Sequence, residues 1–344
     1  MSSSTRLTAF IIIGLVIGAA VGYLAAGPIS YNSQIDSLTK QLADAQKTSP
    51  ADLQKAQADL AKARANLTKA QTDLATSQTQ IKMLQDQISA LQNPVLSGSL
   101  SIAGSTTIQP ISQQAANQFM TLHPNVQVSV AGGGSGAGIK AAGTGTADIG
   151  ESSRNILPAE YLLYPTLNLF PIAKDSVAIV VNPSLSNVTD LTFQQTAQIY
   201  AGQITNWKQV GGPDHSIDLY TREAGSGTLD AFNTFWMTPL SLQIAGTASV
   251  KPSNGEMKTA VASDPYGIAY ISLGFVDSSI RALKLGGVEP TIANVNSGTY
   301  TPQRVLFVFT KGSPSPLAKV FIDFLQSSQG QQIVQQNGYM PIYS

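Results

Sequence analysis

The hydrophobic pattern divides this chain of 344 residues into segments of different character. Residues 7–26 (LTAFIIIGLVIGAAVGYLAA) carry no charge, and about 20 apolar residues suffice to cross a bilayer core of ~30 Å. The pattern therefore predicts a transmembrane anchor within residues 1–30. Arg6 on the short side places the N-terminus in the cytoplasm and the rest of the chain outside. A signal peptide cleaved near residues 25–27 is the alternative.

Residues 31–93 are polar, with apolar residues at a regular interval. Apolar residues recur every seven positions, and small or apolar residues follow three positions after each: Leu53, Leu60, Leu67, Leu74, Ile81 and Ile88, then Ala56, Ala63, Ala70, Ser77, Leu84 and Leu91. This heptad repeat is typical of a coiled coil and predicts a helix of roughly 65 Å. Upstream apolar residues follow a different register, which predicts a break near Ser49-Pro50.

Self-association of this predicted stalk would cover its leucine stripe. The pattern leaves two-stranded and three-stranded assemblies open, and a stalk made of a single helix is the alternative. Pro94 ends the stalk, and residues 94–99 are predicted to be a linker.

From Leu100 onward, short apolar runs alternate with helical periodicity, which predicts a doubly wound α/β domain over residues 100–344. The predicted strands are 100–103, 126–130, 147–150, 176–181, 218–221, 267–271 and 305–309, and the predicted helices are 111–122, one beginning at 138–143, 193–201, 227–236, 316–327 and 331–337.

Three glycine-rich turns, each before a predicted helix, carry the candidate chemistry. They are Gly104-Ser105-Thr106-Thr107, Gly134-Ser135-Gly136 and Gly225-Ser226-Gly227-Thr228. A helix N-terminus leaves backbone N–H groups unpaired and carries partial positive charge, and glycine lets a ligand approach those groups. Serine and threonine add hydroxyl donors. Together the turns predict a binding site for one small oxyanion.

Two arginines accompany these turns. Arg222 stands four residues before Ser226, and Arg154 closes the segment that begins at Gly132. A guanidinium group keeps its charge and matches an oxyanion with two parallel hydrogen bonds. An ordinary ion pair is the alternative for each arginine.

The remaining composition excludes several classes of function. The absence of cysteine excludes thiolate metal sites, iron–sulfur clusters and a cysteine nucleophile. The formal net charge is zero, so the chain lacks the excess of positive charge that is typical of proteins that bind nucleic acid. The stretch 133–141 departs from the phosphate loop of nucleotide-binding proteins, because Ile139 stands where that loop has lysine. Asp148 and Glu151 could form an acid/base pair, but no nucleophile accompanies them. We therefore expect no catalysis, cofactor or metal.

The motifs GSTTIQP, GGGSGAGIK…ADIGESSR, REAGSGT, GIAYI and GQQIVQQNGYMPI together resemble the substrate-binding proteins of ABC-type phosphate uptake, over residues 97–344. The resemblance implies a two-lobed periplasmic-binding-protein fold. Lobe 1 would comprise residues 100–180 and 268–344, and lobe 2 residues 181–267, with hinge strands near 180–183 and 267–271. It also implies these phosphate-binding residues: Thr106, Thr107, Ser135, Gly136, Ser153 and Arg154 from one lobe, and Arg222, Ser226, Gly227 and Thr228 from the other.

One position departs from the best-known members of that family. They end the DxGxxD run with an aspartate that accepts the proton of hydrogen phosphate, whereas this chain has Ser153 followed by Arg154. A carboxylate acceptor repels fully ionised sulfate, and a serine carries no charge with which to do so. The residues therefore support the binding of an oxyanion more firmly than they support selectivity for phosphate over sulfate.

The sequence thus predicts a membrane-tethered receptor, displayed outside the cytoplasm, whose two lobes close over phosphate. It would deliver phosphate to an ABC permease in the membrane or report its presence, and the coiled coil would form a homo-oligomer. The alternatives are a structural or adhesive surface protein that reuses the fold without a ligand, a phosphatase-like enzyme, and a receptor for sulfate, molybdate or a phosphate ester.

Overall fold

The computed structural model describes residues 36–37, 39–40, 50–92 and 96–343. The predicted anchor and the predicted break before Pro50 lie outside these residues. Within the described ranges, no helix combines the length and the apolar character that a bilayer crossing requires. The chain divides into two compact units, residues 1–95 and residues 96–344.

In the first unit, the described residues Pro50–Gln92 form a long helix, α1, of 43 residues. Proline is well placed at the first helical position, where its missing N–H has no intrahelical partner to lose. Several threonine hydroxyls donate to the carbonyl four residues earlier, as Thr72 does to Thr68 at 3.0 Å. The predicted long helix is therefore present, while its self-association stays a prediction.

The second unit alternates strands and helices. Its first half contains β1 (Gly98–Gly104), α2 (Gln109–Leu122), β2 (Val126–Ala131), α3 (Ser135–Thr144), β3 (Ile149–Ser152), α4 (Pro158–Leu163), β4 (Leu167–Val181), β5 (Asp190–Leu191) and α5 (Phe193–Tyr200). Its second half contains β6 (Asp218–Arg222), α6 (Gly227–Phe232), β7 (Ser249–Lys251), α7 (Asn254–Ser263), β8 (Gly267–Ser272), β9 (Arg281–Ala282), β10 (Lys284–Leu285), α8 (Ile292–Asn296), β11 (Gln303–Lys311), α9 (Pro316–Gln326) and α10 (Ser328–Gln336).

Side-chain caps explain where several of these helices begin. Thr192 caps α5, accepting from the N–H of Gln195 at 3.0 Å. Ser253 caps α7 in the same way, accepting from the N–H of Glu256 at 3.0 Å. Each cap satisfies one of the N–H groups that a helix start leaves unpaired. The sequence pattern did not predict residues 167–175 of β4, nor any of β5, β7, β9, β10, α4, α7 and α8, and it predicted β3 two residues too early.

Most strands of this unit belong to one mixed nine-stranded sheet, in the order β2-β1-β3-β11-β4-β8-β6-β7, with β9 beside β4. Strand β4 is 15 residues long and runs through both halves of the sheet. Its first part pairs antiparallel with β11, and residues 177–181 pair antiparallel with β8. A single strand therefore connects the two halves.

Two hydrophobic cores flank this crossing and define two α/β lobes. Ile172 and Ala173 belong to the first core, whereas Val177 and Ala178 belong to the second. The chain therefore passes between the lobes near residues 174–176. It returns between Tyr300, which lies in the second core, and Leu306, which lies in the first.

This return differs from the predicted one near residues 267–271. Ile280, Leu283 and Val295 are buried in the second core, so residues 268–300 pack with lobe 2 rather than lobe 1. The intervening strands β9 and β10 have two residues each, too short to show a hydrophobic period that would assign them to a core.

Helix α3 packs against β1 and β3 at a contact that only glycine allows. A Cβ on Gly138 would lie 2.8 Å from the carbonyl oxygen of Ala103 and 2.8 Å from Cα of Gly104. Gly104 itself has φ +144°, in the region that favours glycine. The close approach holds the turn after β1 beside the start of α3.

We predict that Gly138→Ala lowers the free energy of unfolding by about 1–3 kcal/mol, because the added methyl meets rigid backbone. The matched control is Gly255→Ala in α7, where a Cβ would meet Ser253 Oγ at an ordinary 3.7 Å. That change should stabilise by about 0.4–1 kcal/mol through the unfolded chain. Urea unfolding of both variants measures the difference, and equal stability of the two would contradict the packing account.

Strand β3 carries a buried carboxyl group, Glu151, whose side chain faces α2. Its Oε1 accepts a hydrogen bond from Ser112 Oγ, and its Oε2 is buried with no partner among the described residues. Burial raises the pKa of Glu151 to about 8, against a smaller lowering by Ser112. Asp148 has separate partners, the N–H and hydroxyl of Ser101 at 2.8 and 2.7 Å. The two carboxyls therefore do not form the acid/base pair considered from sequence.

Because the pKa of Glu151 is higher in the folded chain than its ordinary 4.5, the folded state binds the extra proton between about pH 4.5 and 8. The contribution of Glu151 to the free energy of unfolding is fully present below about pH 4.5 and is lost as the pH rises towards 8. Relative to Glu151→Gln, the wild-type free energy of unfolding should fall by up to about 1.4 kcal/mol per pH unit in that window. Urea unfolding of both proteins at a series of pH values measures this difference. Equal pH dependence of the two proteins would contradict the prediction, because it would mean that Glu151 is ionised in the folded chain in this pH range.

Candidate anion-binding site

The three glycine-rich turns meet where the two lobes face each other. The Gly136 N–H donates to the carbonyl of Gly225 at 2.9 Å. The hydroxyls of Thr107 and Thr228 lie 3.2 Å apart. Every predicted site residue with a hydroxyl or guanidinium group is buried: Thr106, Thr107, Ser135, Ser153, Arg154, Arg222, Ser226 and Thr228. Turns that are far apart in the chain thus surround one point.

The first turn follows β1 and is held by its own hydrogen bonds. The Ser105 N–H donates to the carbonyl of Glu151 at 3.1 Å, and the Thr107 N–H donates to Ser105 Oγ at 3.3 Å. Tyr339 donates its hydroxyl to the carbonyl of Thr107 at 2.7 Å. These contacts fix the backbone, so that the hydroxyls of Thr106 and Thr107 face lobe 2.

The second and third turns meet through serine hydroxyls and a glycine. Ser135 Oγ accepts from the N–H of Ser153 at 3.0 Å and lies 3.3 Å from Ser153 Oγ. A Cβ on Gly227 would lie 2.6 Å from Ser153 Oγ, so a larger residue would push the lobes apart. Ser226 caps α6, accepting from the N–H of Leu229 at 3.3 Å. The cap leaves the hydrogen of Ser226 Oγ free to be donated.

Arg222 lies at the end of β6 with its side chain 1 % exposed. Nε and Nη2 each donate to the Glu223 carboxylate at 2.9 Å, and Nη2 also reaches Thr106 Oγ1 at 3.2 Å. Its backbone N–H donates to the hydroxyl of Tyr270 at 3.0 Å. Burial raises the pKa of Tyr270 to about 12, so this hydroxyl stays protonated. Among the described residues, Arg222 Nη1 is buried without a hydrogen-bond partner.

Arg154, which the sequence predicts to bind the anion, meets two carboxylates in this structure. Its Nη1 and Nη2 donate to Glu160 at 2.7 and 2.8 Å, and its Nε lies 2.5 Å from Asp230 Oδ2. Burial favours the uncharged form of Arg154, but both carboxylates outweigh it and raise its pKa. Since each nitrogen already faces a carboxylate, the guanidinium joins Glu160 of one lobe to Asp230 of the other. Glu160 lies on α4, a helix that sequence analysis did not predict.

Two polar residues that the sequence did not predict enter the cluster from other elements. Arg304 on β11 donates from Nη2 to Thr107 Oγ1 at 3.2 Å and to Thr228 Oγ1 at 3.1 Å. Asn254, the first residue of α7, donates from Nδ2 to Thr107 Oγ1 at 2.9 Å. The SNGE stretch at 253–256 does carry a capping pattern, which could have predicted α7. Nothing local to Arg304 marks it as part of a site.

The arrangement suits a small oxyanion rather than a metal or a large cofactor. The groups that face inward are N–H and O–H donors, and the guanidinium groups of Arg222 and Arg304 carry fixed positive charge. Among the residues that the structure describes, no cluster of histidine and carboxylate side chains could hold a metal ion. A cleft of about 410 Å³ lies beside the donors, lined by both lobes and by Ser153, Arg154, Asp230 and Arg304.

Comparison with known proteins gives the family. The profile of the PBP superfamily domain matches residues 63–329. Phosphate-binding protein PstS of Bacillus subtilis is 34% identical over 250 residues, covering 72% of this chain and 81% of that protein. The PstS of Borreliella burgdorferi is 32% identical over 253 residues, covering 71% and 90%.

Two solved structures have the same fold. A Clostridium perfringens protein, described as a phosphate ABC transporter substrate-binding protein with bound phosphate, aligns with a TM-score of 0.67 and 35% identity, covering 71% of this chain and all of that chain. An ABC-type phosphate transport receptor from Vibrio cholerae aligns with a TM-score of 0.58 and 38% identity, covering 70% and 99%. This chain therefore belongs to the PBP superfamily, in the family of the PstS proteins.

Proposed function

We propose that this protein captures inorganic phosphate outside the cytoplasm for ABC-type uptake. The observation that carries the proposal is Arg222 Nη1, a buried cationic donor without a partner among the described residues, which lies in a cluster of hydroxyls from both lobes. Leaving such a donor unpaired costs more than the 1–3 kcal/mol typical of a neutral group. A dianion with four oxygens removes that cost.

The proposed ligand groups come from all three turns. Arg222 supplies a charge-assisted hydrogen bond through Nη1. The remaining donors are the hydroxyl or backbone N–H groups of Thr106, Thr107, Ser135, Ser153, Ser226, Gly227 and Thr228. Gly136 is not among them, because its N–H already donates to the carbonyl of Gly225. We leave Arg154 out of this set, because Glu160 and Asp230 already engage its guanidinium.

The relatives support this assignment. The Bacillus subtilis and Borreliella burgdorferi relatives are named phosphate-binding proteins, and the Clostridium perfringens structure is described with bound phosphate. Their names describe binding and transport rather than catalysis. The donors of this site also fit binding, since they supply no nucleophile with an adjacent base.

The lobes of this structure are in contact, and we interpret the arrangement as the closed form. The Gly136–Gly225 hydrogen bond and the Arg154–Asp230 ion pair both join lobe 1 to lobe 2. A ligand that binds both lobes stabilises this form over an open one by its differential affinity. The closed form would be the one that an ABC permease recognises.

We also propose that residues 1–30 anchor the protein in the membrane and that residues 31–93 act as a stalk. Helix α1 supports the stalk, because 43 residues at 1.5 Å each give a spacer of about 65 Å. The heptad repeat supports self-association of α1. Tethering would keep the receptor concentrated near its permease. Membrane extraction and cross-linking of the full-length chain would test both statements.

We predict that Arg222→Ala weakens phosphate binding at least about 100-fold, because a buried charge-assisted contact is lost. Titration calorimetry on the full-length protein measures this, with sulfate titrated in parallel. Lys208→Ala is the control, since Lys208 is 59% exposed and pairs with Asp214.

The titrations also separate the alternatives. Equal affinity for sulfate would mean that the absence of a carboxylate at Ser153 has removed the selectivity. No heat with any oxyanion would support a structural surface protein, and release of phosphate from a phosphate ester would support an enzyme. Either of these last two results would overturn the proposal.

A further inference from the structure

The geometry points to Arg304 as a second cationic ligand of the anion site, held in position by Asp175 on the strands that join the lobes. The inference deepens the proposed function and rests on it. Arg304 lies on β11, and its partner in the register with β4 is Asp175. Both residues therefore sit at the passage between lobes.

One edge of the Arg304 guanidinium is fully engaged by this partner. Nε and Nη2 donate to Asp175 Oδ2 at 2.9 and 2.8 Å. The other oxygen, Oδ1, accepts from Ser272 Oγ at 2.9 Å. Asp175 is completely buried, and burial raises its pKa while Arg304 opposes the shift. The pair fixes the plane and the direction of the guanidinium.

The other edge of the same guanidinium faces the proposed anion. A guanidinium presents two forks of parallel N–H groups, and Nη2 takes part in both. The second fork consists of Nη1 and Nη2. Its Nη2 contacts the hydroxyls of Thr107 and Thr228, and its Nη1 is buried without a hydrogen-bond partner among the described residues. Since the hydrogens of Nη2 are already donated to Asp175 and to these hydroxyls, Nη1 is the nitrogen that can donate to one oxygen of an anion held beside them.

Arg304 also decides what the Thr107 hydroxyl can do. A hydroxyl oxygen has two lone pairs and one hydrogen. Arg304 Nη2 and Asn254 Nδ2 both donate to Thr107 Oγ1, so they occupy both lone pairs. The hydrogen must then be donated, either to Thr228 Oγ1 or to an anion. Arg304 and Asn254 thus make Thr107 a donor at the point where an oxyanion needs one.

A purely structural ion pair would explain less. If Arg304 only joined β11 to β4, its contact with Asp175 would suffice, and Nη1 would remain a desolvated, unpaired donor. An ion pair alone would also not explain why Nη2 contacts one hydroxyl from each lobe, those of Thr107 and Thr228. Anion binding explains these contacts and gives Nη1 a partner.

The test uses two variants of the full-length protein. Arg304→Lys keeps the positive charge opposite Asp175 but loses the second fork. The double variant Arg304→Gln/Asp175→Asn removes both charges together, so that no lone charge is left buried. Arg281→Lys is the matched control, because Arg281 is a half-buried arginine that donates to the carbonyl of Val188 and, like Arg304, has a buried nitrogen without a hydrogen-bond partner among the described residues.

Calorimetry with inorganic phosphate and thermal unfolding with and without phosphate give the readouts. We expect at least tenfold weaker binding for Arg304→Lys, at least 100-fold for the double variant and less than twofold for Arg281→Lys. The rise in Tm caused by phosphate should shrink in the same order.

Folded Arg304 variants that bind phosphate within twofold of the wild type would overturn the inference and leave Arg304 as a structural residue. That result would keep the proposed function, because the wild type still binds. A wild-type protein that binds no phosphate would overturn both. If the double variant fails to fold, Arg304→Lys alone decides the question.

Discussion

The buried positive charge between the lobes is the constraint on which the rest of this structure depends. Arg222 and Arg304 each meet a carboxylate on one edge, Glu223 or Asp175, and each keeps a buried nitrogen without a partner among the described residues. Desolvating a charge is costly unless its hydrogen bonds are completed. Each carboxylate accepts two of the five N–H groups and fixes the geometry, threonine hydroxyls accept from Nη2, and an anion bound between the lobes would accept from the unpartnered Nη1.

The sheet explains how these charges reach one place and still allow movement. Strand β4 belongs to both lobes, and β11 returns beside it, so two neighbouring crossings connect the lobes. The Asp175–Arg304 pair bridges these crossings, close to the axis about which the lobes would rotate. The Arg154–Asp230 pair links the lobes at the edge of the cleft. A ligand that contacts Arg304 would therefore act at the hinge itself.

The sequence predicts the parts of this site that depend on local pattern. Glycine followed by serine or threonine before a helix is a local signal, and all three such turns lie at the candidate site. The contact of Arg304 with Thr107 spans 197 positions and that of Asn254 spans 147, so no local pattern could reveal them. The ion pair of Arg154 with Glu160 could not be predicted either, because Glu160 lies on α4, a helix that the sequence pattern did not predict. The predicted return between the lobes near residues 267–271 was wrong for a related reason. The strands β9 and β10 that follow have two residues each, and such short strands show no pattern that would assign them to one core.

The most direct measurement is a crystal structure of the full-length protein grown with phosphate. The account predicts one tetrahedral anion between the lobes, with oxygens about 2.7–2.9 Å from Nη1 of Arg222 and Nη1 of Arg304, distances typical of charge-assisted hydrogen bonds. Hydroxyls from both lobes should contact the same anion. An anion bound elsewhere, or a site whose two guanidinium groups contact only protein at saturating phosphate, would contradict it.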